Sequence, residues 1–171
     1  QRTLDGLCVL CVDNDSDILA GMDALLSRWG VRTVLASTVD DALAKMAQQP
    51  DVLLVDYHLH DRLDGLDTLD ALRAAAGHAI PGALLTADGS DTLGQAARAR
   101  GYRVLTKPVK PASLRAFLTA QRALAIGAAR VDDHLRRGAH GSDNGRIGGL
   151  VGSPGIAAAA RTAPRATPLP P

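Results

Sequence analysis

An α/β fold, an open five-stranded parallel sheet with helices on both faces, is predicted by three observations on the 171-residue sequence. Apolar runs of strand length recur five times before residue 110. Amphipathic stretches of helix length separate them, which is the pattern of β-α units. The run Val52-Leu53-Leu54-Val55 is apolar at every position, as a strand covered on both faces must be, and this places it in the middle of the sheet.

The first strand is read at residues 7–12, Leu-Cys-Val-Leu-Cys-Val. Cys8 and Cys11 have the spacing of a redox or metal pair, but residues three apart on a strand point to opposite faces. Both are therefore expected to be small buried apolar residues in a reducing compartment. A helix follows over about 16–29, where Ile18, Leu19, Met22, Leu25, Leu26 and Trp29 keep three-and-four spacing. Gly30 stops it. The second strand covers 31–36, and Ser37 or Thr38 caps a second helix that runs to about Gln48 and ends before Pro50. After the third strand at 52–55, a polar loop over 56–64 leads to a helix from about Gly65 to Ala75. A fourth strand near 83–86, a short helix over about 90–100, a fifth strand at 103–106 and a last helix from Pro111 to about Ala125 complete the unit. Pro111 suits the first helical turn, where its missing N–H costs nothing.

The predicted organisation is one folded domain over 5–126 and a tail over 127–171, since a single core is comfortable at roughly 100–150 residues. From 138 to 171, 19 of 34 residues are Gly, Ala or Pro, and such a composition cannot offset the entropy of ordering, so the tail is expected to be disordered. Charge divides in the same place: residues 1–120 carry 12 basic and 15 acidic side chains, residues 121–171 carry 7 and 3. The tail arginines, Arg136 and Arg137 among them, have no aromatic neighbours and no helix-turn-helix follows, so direct nucleic-acid binding is not expected. No stretch approaches the roughly 18 apolar residues of a membrane span, and the first residues lack the layout of a secretion signal. A cytoplasmic location is the expectation. The sequence opens on Gln1 rather than Met, which keeps a larger parent protein in view.

In an open parallel sheet, ligands sit outside the carboxyl ends of the strands where strand order reverses. With order 2-1-3-4-5, the ends carrying Asp13-Asn14-Asp15, Asp56, Thr86 and Lys107-Pro108 adjoin one another. Carboxylates brought so close raise each other's pKa unless a cation compensates. Mg²⁺ is the obvious compensator, because it takes oxygen ligands and is usually held by one or two carboxylates with water and phosphate oxygens. Asp13 and Asp56 fit that role, with the backbone carbonyl of His58 as a third ligand. A phosphoryl group accepted by Asp56 would then be flanked by Mg²⁺, the Lys107 ammonium and the Thr86 hydroxyl, which supplies the charge neutralisation and positioning that phosphoryl transfer requires. Nucleophilic carboxylates that form aspartyl phosphates are a known chemical class.

Four runs in this order, Val12-Asp13-Asn14-Asp15, Leu54-Val55-Asp56-Tyr57, Leu84-Leu85-Thr86-Ala87-Asp88 and Leu105-Thr106-Lys107-Pro108, resemble the receiver domain of response regulators over about residues 7–120. That family has a flavodoxin-like fold. The phrase Lys107-Pro108-Val109-Lys110-Pro111, followed by Ser113-Leu114-Arg115, resembles the C-terminal receiver of hybrid sensor histidine kinases. The resemblance implies a two-component phosphorelay in which Asp56 takes a phosphoryl group, with Mg²⁺, from the phosphohistidine of a histidine kinase or histidine phosphotransfer domain, or from acetyl phosphate. It puts Asp13 and Asn14 at the acidic-pair positions of the metal site, makes Thr86 the switch hydroxyl and Lys107 the site lysine, and implies a cis peptide before Pro108. It also implies that the domain catalyses its own phosphorylation and dephosphorylation, that a hybrid parent would be a histidine kinase, and that a receiver homodimer is a further candidate assembly. Two residues depart from the pattern. Asn14 replaces an acidic residue, so weaker Mg²⁺ binding is expected, and Val104 stands where the family often has an aromatic switch residue. Tyr102 lies two residues earlier on the same strand face.

Other readings weigh less. Asp13-x-Asp15 also opens a haloacid-dehalogenase-type phosphatase, but that class needs a later acidic cluster and a cap insertion, and it leaves Asp56 without a purpose. The run Asp13-Asn14-Asp15-Ser16-Asp17 begins like a calcium loop, then has Ile18 and Ala24 where Gly and Glu are required. His58 and His60 near Asp61 read as a solvated loop rather than a metal cluster. Asp61, Asp64, Asp67 and Asp70 read mostly as the exposed face or first turn of the following helix. A freestanding response regulator, or a receiver that only binds a partner protein without phosphorylation, are the alternatives to the hybrid-kinase reading.

Overall fold

The computed structural model describes residues 4–139. Five strands, β1 (Cys8–Val12), β2 (Arg32–Ala36), β3 (Val52–Asp56), β4 (Gly82–Thr86) and β5 (Arg103–Thr106), form one parallel sheet in the order β2-β1-β3-β4-β5. Helices α1 (Ser16–Arg28), α2 (Val39–Lys45), α3 (Gly65–Ala76), α4 (Asp91–Ala99) and α5 (Pro111–Ala139) alternate with them. The expected fold class and strand order are those observed. Strand order reverses between β1 and β3.

Alternation along each strand divides the interior into two cores, one on each face of the sheet. Leu10, Val12, Leu53, Val55 and Leu84 point to the side where Val39 of α2, Leu69 of α3 and Leu93 of α4 pack. Val9, Cys11, Leu54 and Leu85 point to the other, against Leu19 and Leu26 of α1 and Leu114 and Leu118 of α5. β1, β3 and β4 are buried at every position, and each Leu or Val removed from water there contributes about 1.5–3 kcal/mol. Cys8 and Cys11 fall into opposite cores and are free. Burial pushes the Cys11 thiol up to about 12, which holds it protonated and unreactive.

Side-chain caps fix where the helices begin. Asp15, Thr38, Asp64 and Ser90 each accept backbone N–H groups of the following turn, worth about 1 kcal/mol apiece. Gly77, in the left-handed region at φ 76, closes α3.

Two elements differ from expectation. The second helix is α-helical only to Lys45 and continues as a 3-10 turn over Met46–Gln48, with Gln49 at φ 54. More consequentially, α5 runs to Ala139 rather than ending near Ala125. A single glycine inside a helix costs only about 1 kcal/mol, and Gly127 is followed by good helix formers and by two i,i+4 ion pairs, Asp132–Arg136 at 2.8 Å and Asp133–Arg137 at 3.0 Å. Thus 127–139, read from the sequence as tail, is helical, while 140–171 lies outside the described residues.

Candidate functional site

Every polar residue singled out at a strand end arrives at the same edge of the sheet. Asp13 leaves β1 with its N–H donated to the Ala36 carbonyl at 3.1 Å. Asp56 is the last residue of β3 and sits opposite Leu85 in the parallel register, one residue before Thr86. Lys107 follows β5 and donates its N–H to the Thr86 carbonyl at 2.8 Å. Asp13, Asp56 and Thr86 are buried, at 5%, 5% and 1% exposure. The Lys107–Pro108 peptide is cis.

The Lys107 ammonium lies between the two carboxylates, with Nζ 2.7 Å from Asp56 Oδ1 and 3.4 Å from Asp13 Oδ2. Asp13 Oδ1 also accepts the Asp15 N–H at 2.9 Å. Burial is the main influence raising the Asp13 pKa; the Asp15 N–H opposes it, the Asp56 charge adds to it, and Lys107 opposes it. For Lys107, burial is the largest single influence and acts downward, but the hydrogen bond and charge of Asp56 together with Asp13 outweigh it, so the ammonium is held above its usual range. Two carboxylates facing one ammonium leave one negative charge uncompensated in a largely desolvated place. Hard oxygen donors with surplus negative charge fit Mg²⁺. Among the described residues no three carboxylate, imidazole or thiol side chains converge, so such a cation would rest on two carboxylates, with the remaining positions left to backbone, amide, water or phosphate oxygens.

Thr86 Oγ1 accepts the Asp88 N–H at 3.0 Å, which leaves its own proton to donate. Asn14 is exposed on the turn, whereas Asp15 is committed as the α1 cap, accepting from the N–H groups of Asp17 at 2.9 Å and Ile18 at 3.4 Å. His58 and His60 both present exposed side chains on the loop after β3, His60 at φ 51.

Two supporting residues were not singled out from the sequence for this role. Gly65 donates its N–H to the Tyr57 carbonyl at 3.0 Å, and a Cβ at residue 65 would lie 2.5 Å from the Asp56 carbonyl oxygen and 2.7 Å from Tyr57 Cα. Only glycine lets α3 begin this close to the end of β3. Asp61 accepts the N–H groups of Val39 at 2.9 Å and Arg62 at 2.7 Å, so it ties the loop after β3 to the start of α2 instead of lining α3. Those hydrogen bonds hold its carboxyl below the usual carboxylate range.

Tyr102 does share a sheet face with Val104, but it precedes β5 and is buried at the strand end opposite Lys107. Its hydroxyl donates to Asp70 Oδ1 at 2.6 Å and the Arg73 guanidinium lies 4.2 Å from its ring centroid. Asp70 therefore serves this contact. Val104 packs half-buried against the core on the α4 side.

A five-stranded parallel sheet in this order, with a lysine clamped between two buried aspartates at its carboxyl edge, defines the receiver class of α/β domain. Residues 9–119 match the family described as response regulator receiver domain. The chain belongs to that family, a component of two-component systems. The chain is 34% identical over 83 residues to the transcriptional regulatory protein CpxR of Escherichia coli (strain K12), covering 48% of this chain and 34% of that protein. It is 36% identical over 108 residues to the response regulator protein PilR of Pseudomonas aeruginosa, covering 62% of this chain and 24% of that protein. The chain thus spans about a third of one of these curated relatives and about a quarter of the other. Among solved structures, the Vibrio cholerae chemotaxis protein CheY4 superposes with a TM-score of 0.60 at 26% identity, over 67% of this chain and 97% of that one.

Proposed function

We propose that the chain accepts a phosphoryl group on Asp56 from a histidine kinase phosphohistidine, or from a histidine phosphotransfer domain, and so serves as the receiver of a phosphorelay. The observation that carries this reading is the Lys107 ammonium held 2.7 Å from Asp56 beside a second buried carboxylate, Asp13. That arrangement keeps Asp56 oriented and matches the charge of an incoming phosphoryl group. Asp56 attacks phosphorus in line with the phosphohistidine nitrogen; the new P–O bond forms as the N–P bond breaks, and the imidazole leaves as the free side chain. Lys107 remains against the modified carboxylate and offsets its added negative charge, and Thr86 turns its hydroxyl proton toward a phosphoryl oxygen. Asp13, Asp56, the His58 carbonyl and the Asn14 amide oxygen are the groups that would hold Mg²⁺. When bound, the cation neutralises phosphoryl oxygens during transfer.

The donor's approach is supported by an apolar hollow of ≈ 590 Å³ beside Lys107, lined by Ile18, Met22 and Leu25 of α1 and by Pro108 and Val109. Ile18 is 37% exposed there, an apolar contact point for a helical phosphodonor. The phosphoacceptor unit in this reading is 5–126, in the cytoplasm, and the run Lys107-Pro108-Val109-Lys110-Pro111 favours a hybrid histidine kinase as its parent. A phosphatase built on Asp13 and Asp15 is disfavoured because Asp15 is occupied as a helix cap. Among the described residues no helix is long and apolar enough to cross a membrane.

Incubation of the chain with acetyl phosphate and Mg²⁺, followed by intact mass, tests the proposal. The native chain is expected to gain about 80 Da, and Asp56→Asn to gain nothing. Absence of the adduct on the native chain, or its persistence in Asp56→Asn, overturns the assignment.

A further inference from the structure

The chain leaves β3 at Asp56 and turns back into α3 at Gly65 through residues 57–64, a segment rich in polar and charged side chains. Loops of this composition move unless their backbone is tied down. This one is pinned on both sides of His58. Before it, Tyr57 donates its N–H to the Leu85 carbonyl at 2.9 Å, which extends the pairing with β4 one residue past the end of β3. After it, Leu59 is buried in the same core as Val39, and Asp61 reaches α2.

Asp61 commits both carboxylate oxygens to backbone: Oδ2 accepts the Val39 N–H at 2.9 Å and Oδ1 the Arg62 N–H at 2.7 Å. Val39 opens α2, and its N–H is one of those a helix start leaves without an internal acceptor. Thr38 serves the Asp41 N–H further in, at 3.1 Å, so Asp61 completes the cap from a different segment of the chain. The first turn of α2 already carries Asp40 and Asp41, and a third carboxylate there meets repulsion as well as the attraction of the helix end. Geometry, with two N–H groups aimed at two oxygens, decides its place. The neighbouring Arg62–Asp40 pair at 2.8 Å has side chains 55% and 83% exposed and is a weak tie. His60 is held at φ 51, a region that residues with a Cβ seldom adopt. Such a conformation persists where the surroundings fix it, and the hydrogen bonds of Asp61 fix this one.

The consequence falls on His58. A backbone carbonyl has no side chain of its own to aim it, so its position is set by the anchors on either side. We propose that Asp61 is a positioning residue for the acceptor site: by clamping the loop onto α2 it holds the His58 carbonyl where Mg²⁺ can use it. The proposal rests on the reading of Asp13, Asp56 and the His58 carbonyl as ligands of the cation, and adds a residue whose own oxygens are both engaged elsewhere. Coupling of this kind is reciprocal. A cation held through the His58 carbonyl stiffens the loop, keeps the Asp61 cap closed and protects the first turn of α2 from opening.

Titration of the unphosphorylated 171-residue chain with Mg²⁺ by isothermal calorimetry, together with hydrogen exchange over residues 38–43 read by mass spectrometry, tests this. In the native chain, saturating Mg²⁺ is expected to slow exchange over 39–42. Asp61→Ala, which removes both acceptor oxygens, is expected to bind Mg²⁺ about fivefold or more weakly and to lose the slowing. Asp61→Asn keeps one acceptor oxygen and is expected to lie between. Asp40→Asn removes the exposed ion pair but leaves the clamp, and is expected to bind within about twofold of the native chain. Far-UV circular dichroism verifies the fold of each variant; if Asp61→Ala does not fold, Asp61→Asn against Asp40→Asn carries the comparison. The proposal is overturned by native affinity in folded Asp61→Ala, by an equal loss in Asp40→Asn and Asp61→Asn, or by native exchange over 39–42 that Mg²⁺ leaves unchanged. A native chain that binds no Mg²⁺ removes the metal reading and this proposal with it, whereas native binding that Asp61→Ala shares overturns the proposal alone.

Discussion

Asp13 and Asp56 share one ammonium, and the charge left over governs what the neighbouring positions do. Asn14 stands exposed on the turn beside Asp13, where an amide brings an oxygen but no charge. Asn14→Asp is expected to tighten Mg²⁺ binding about three- to tenfold, since an added carboxylate at a partly solvated site contributes on the order of 1 kcal/mol. Isothermal titration calorimetry checks this, and an unchanged affinity would remove residue 14 from the metal site. Asp13, Asp56, Thr86 and Lys107 were legible in the sequence because each ends or directly follows a predicted strand, and a parallel sheet delivers all such ends to one edge. Gly65 and Asp61 were not legible as supports, because their importance arises from segments that meet only in three dimensions. Gly65 abuts the Asp56 carbonyl, and Asp61 caps Val39, which lies 22 residues earlier in the chain.

At the scale of elements, α3 and β5 are joined by the Tyr102–Asp70 hydrogen bond and by Arg73, which also donates Nε to the Ile80 carbonyl at 2.8 Å. Burial, then the hydrogen bond to Asp70, push the Tyr102 phenol well above its usual range. A phenol raised in this way is protonated in the folded state after its unfolded counterpart has ionised. Its contribution to stability is therefore complete below an unfolded value of about 10 and is lost as pH rises above it. Tyr102 phenolate absorbance is thus expected to emerge only with alkaline unfolding, and Tyr102→Phe to remove that late component. The same variant is expected to lose about 1 kcal/mol at neutral pH, read by urea unfolding, because it deletes a hydrogen bond to a carboxylate. Strand positions and the Thr38 cap could be read from the sequence, since apolar runs and a Ser or Thr at a helix start are local signals, whereas the capping roles of Asp15, Asp64 and Ser90 were not read there. The end of α5 could not, because a lone glycine costs too little to stop a helix when αL closure does not follow. Tyr102 was legible as a same-face neighbour of Val104, but which end of the strand it occupies relative to Lys107 emerges only from the strand's boundaries.

For the molecule as a whole, the two cores close over the sheet before α5 has ended. Residues 123–139 are exposed throughout, so they add little burial to the domain. A chain ending after Ile126 is accordingly expected to unfold within about 2 °C of the full chain. A larger drop would mean that the terminal half of α5 belongs to the domain's cooperative unit. At this scale the central place of β3 was legible because Val52-Leu53-Leu54-Val55 is apolar throughout, whereas the order of the other strands around it was carried by the resemblance to receiver domains. The length of α5 carries a mechanical consequence. Its 29 residues form a rod about 43 Å long, and its first residue, Pro111, stands four positions after Lys107 in the chain. A tilt of about 5° at that base sweeps the far end through about 4 Å. The helix is thus geared as a lever, with its fulcrum beside the acceptor site and its longest travel at Ala139.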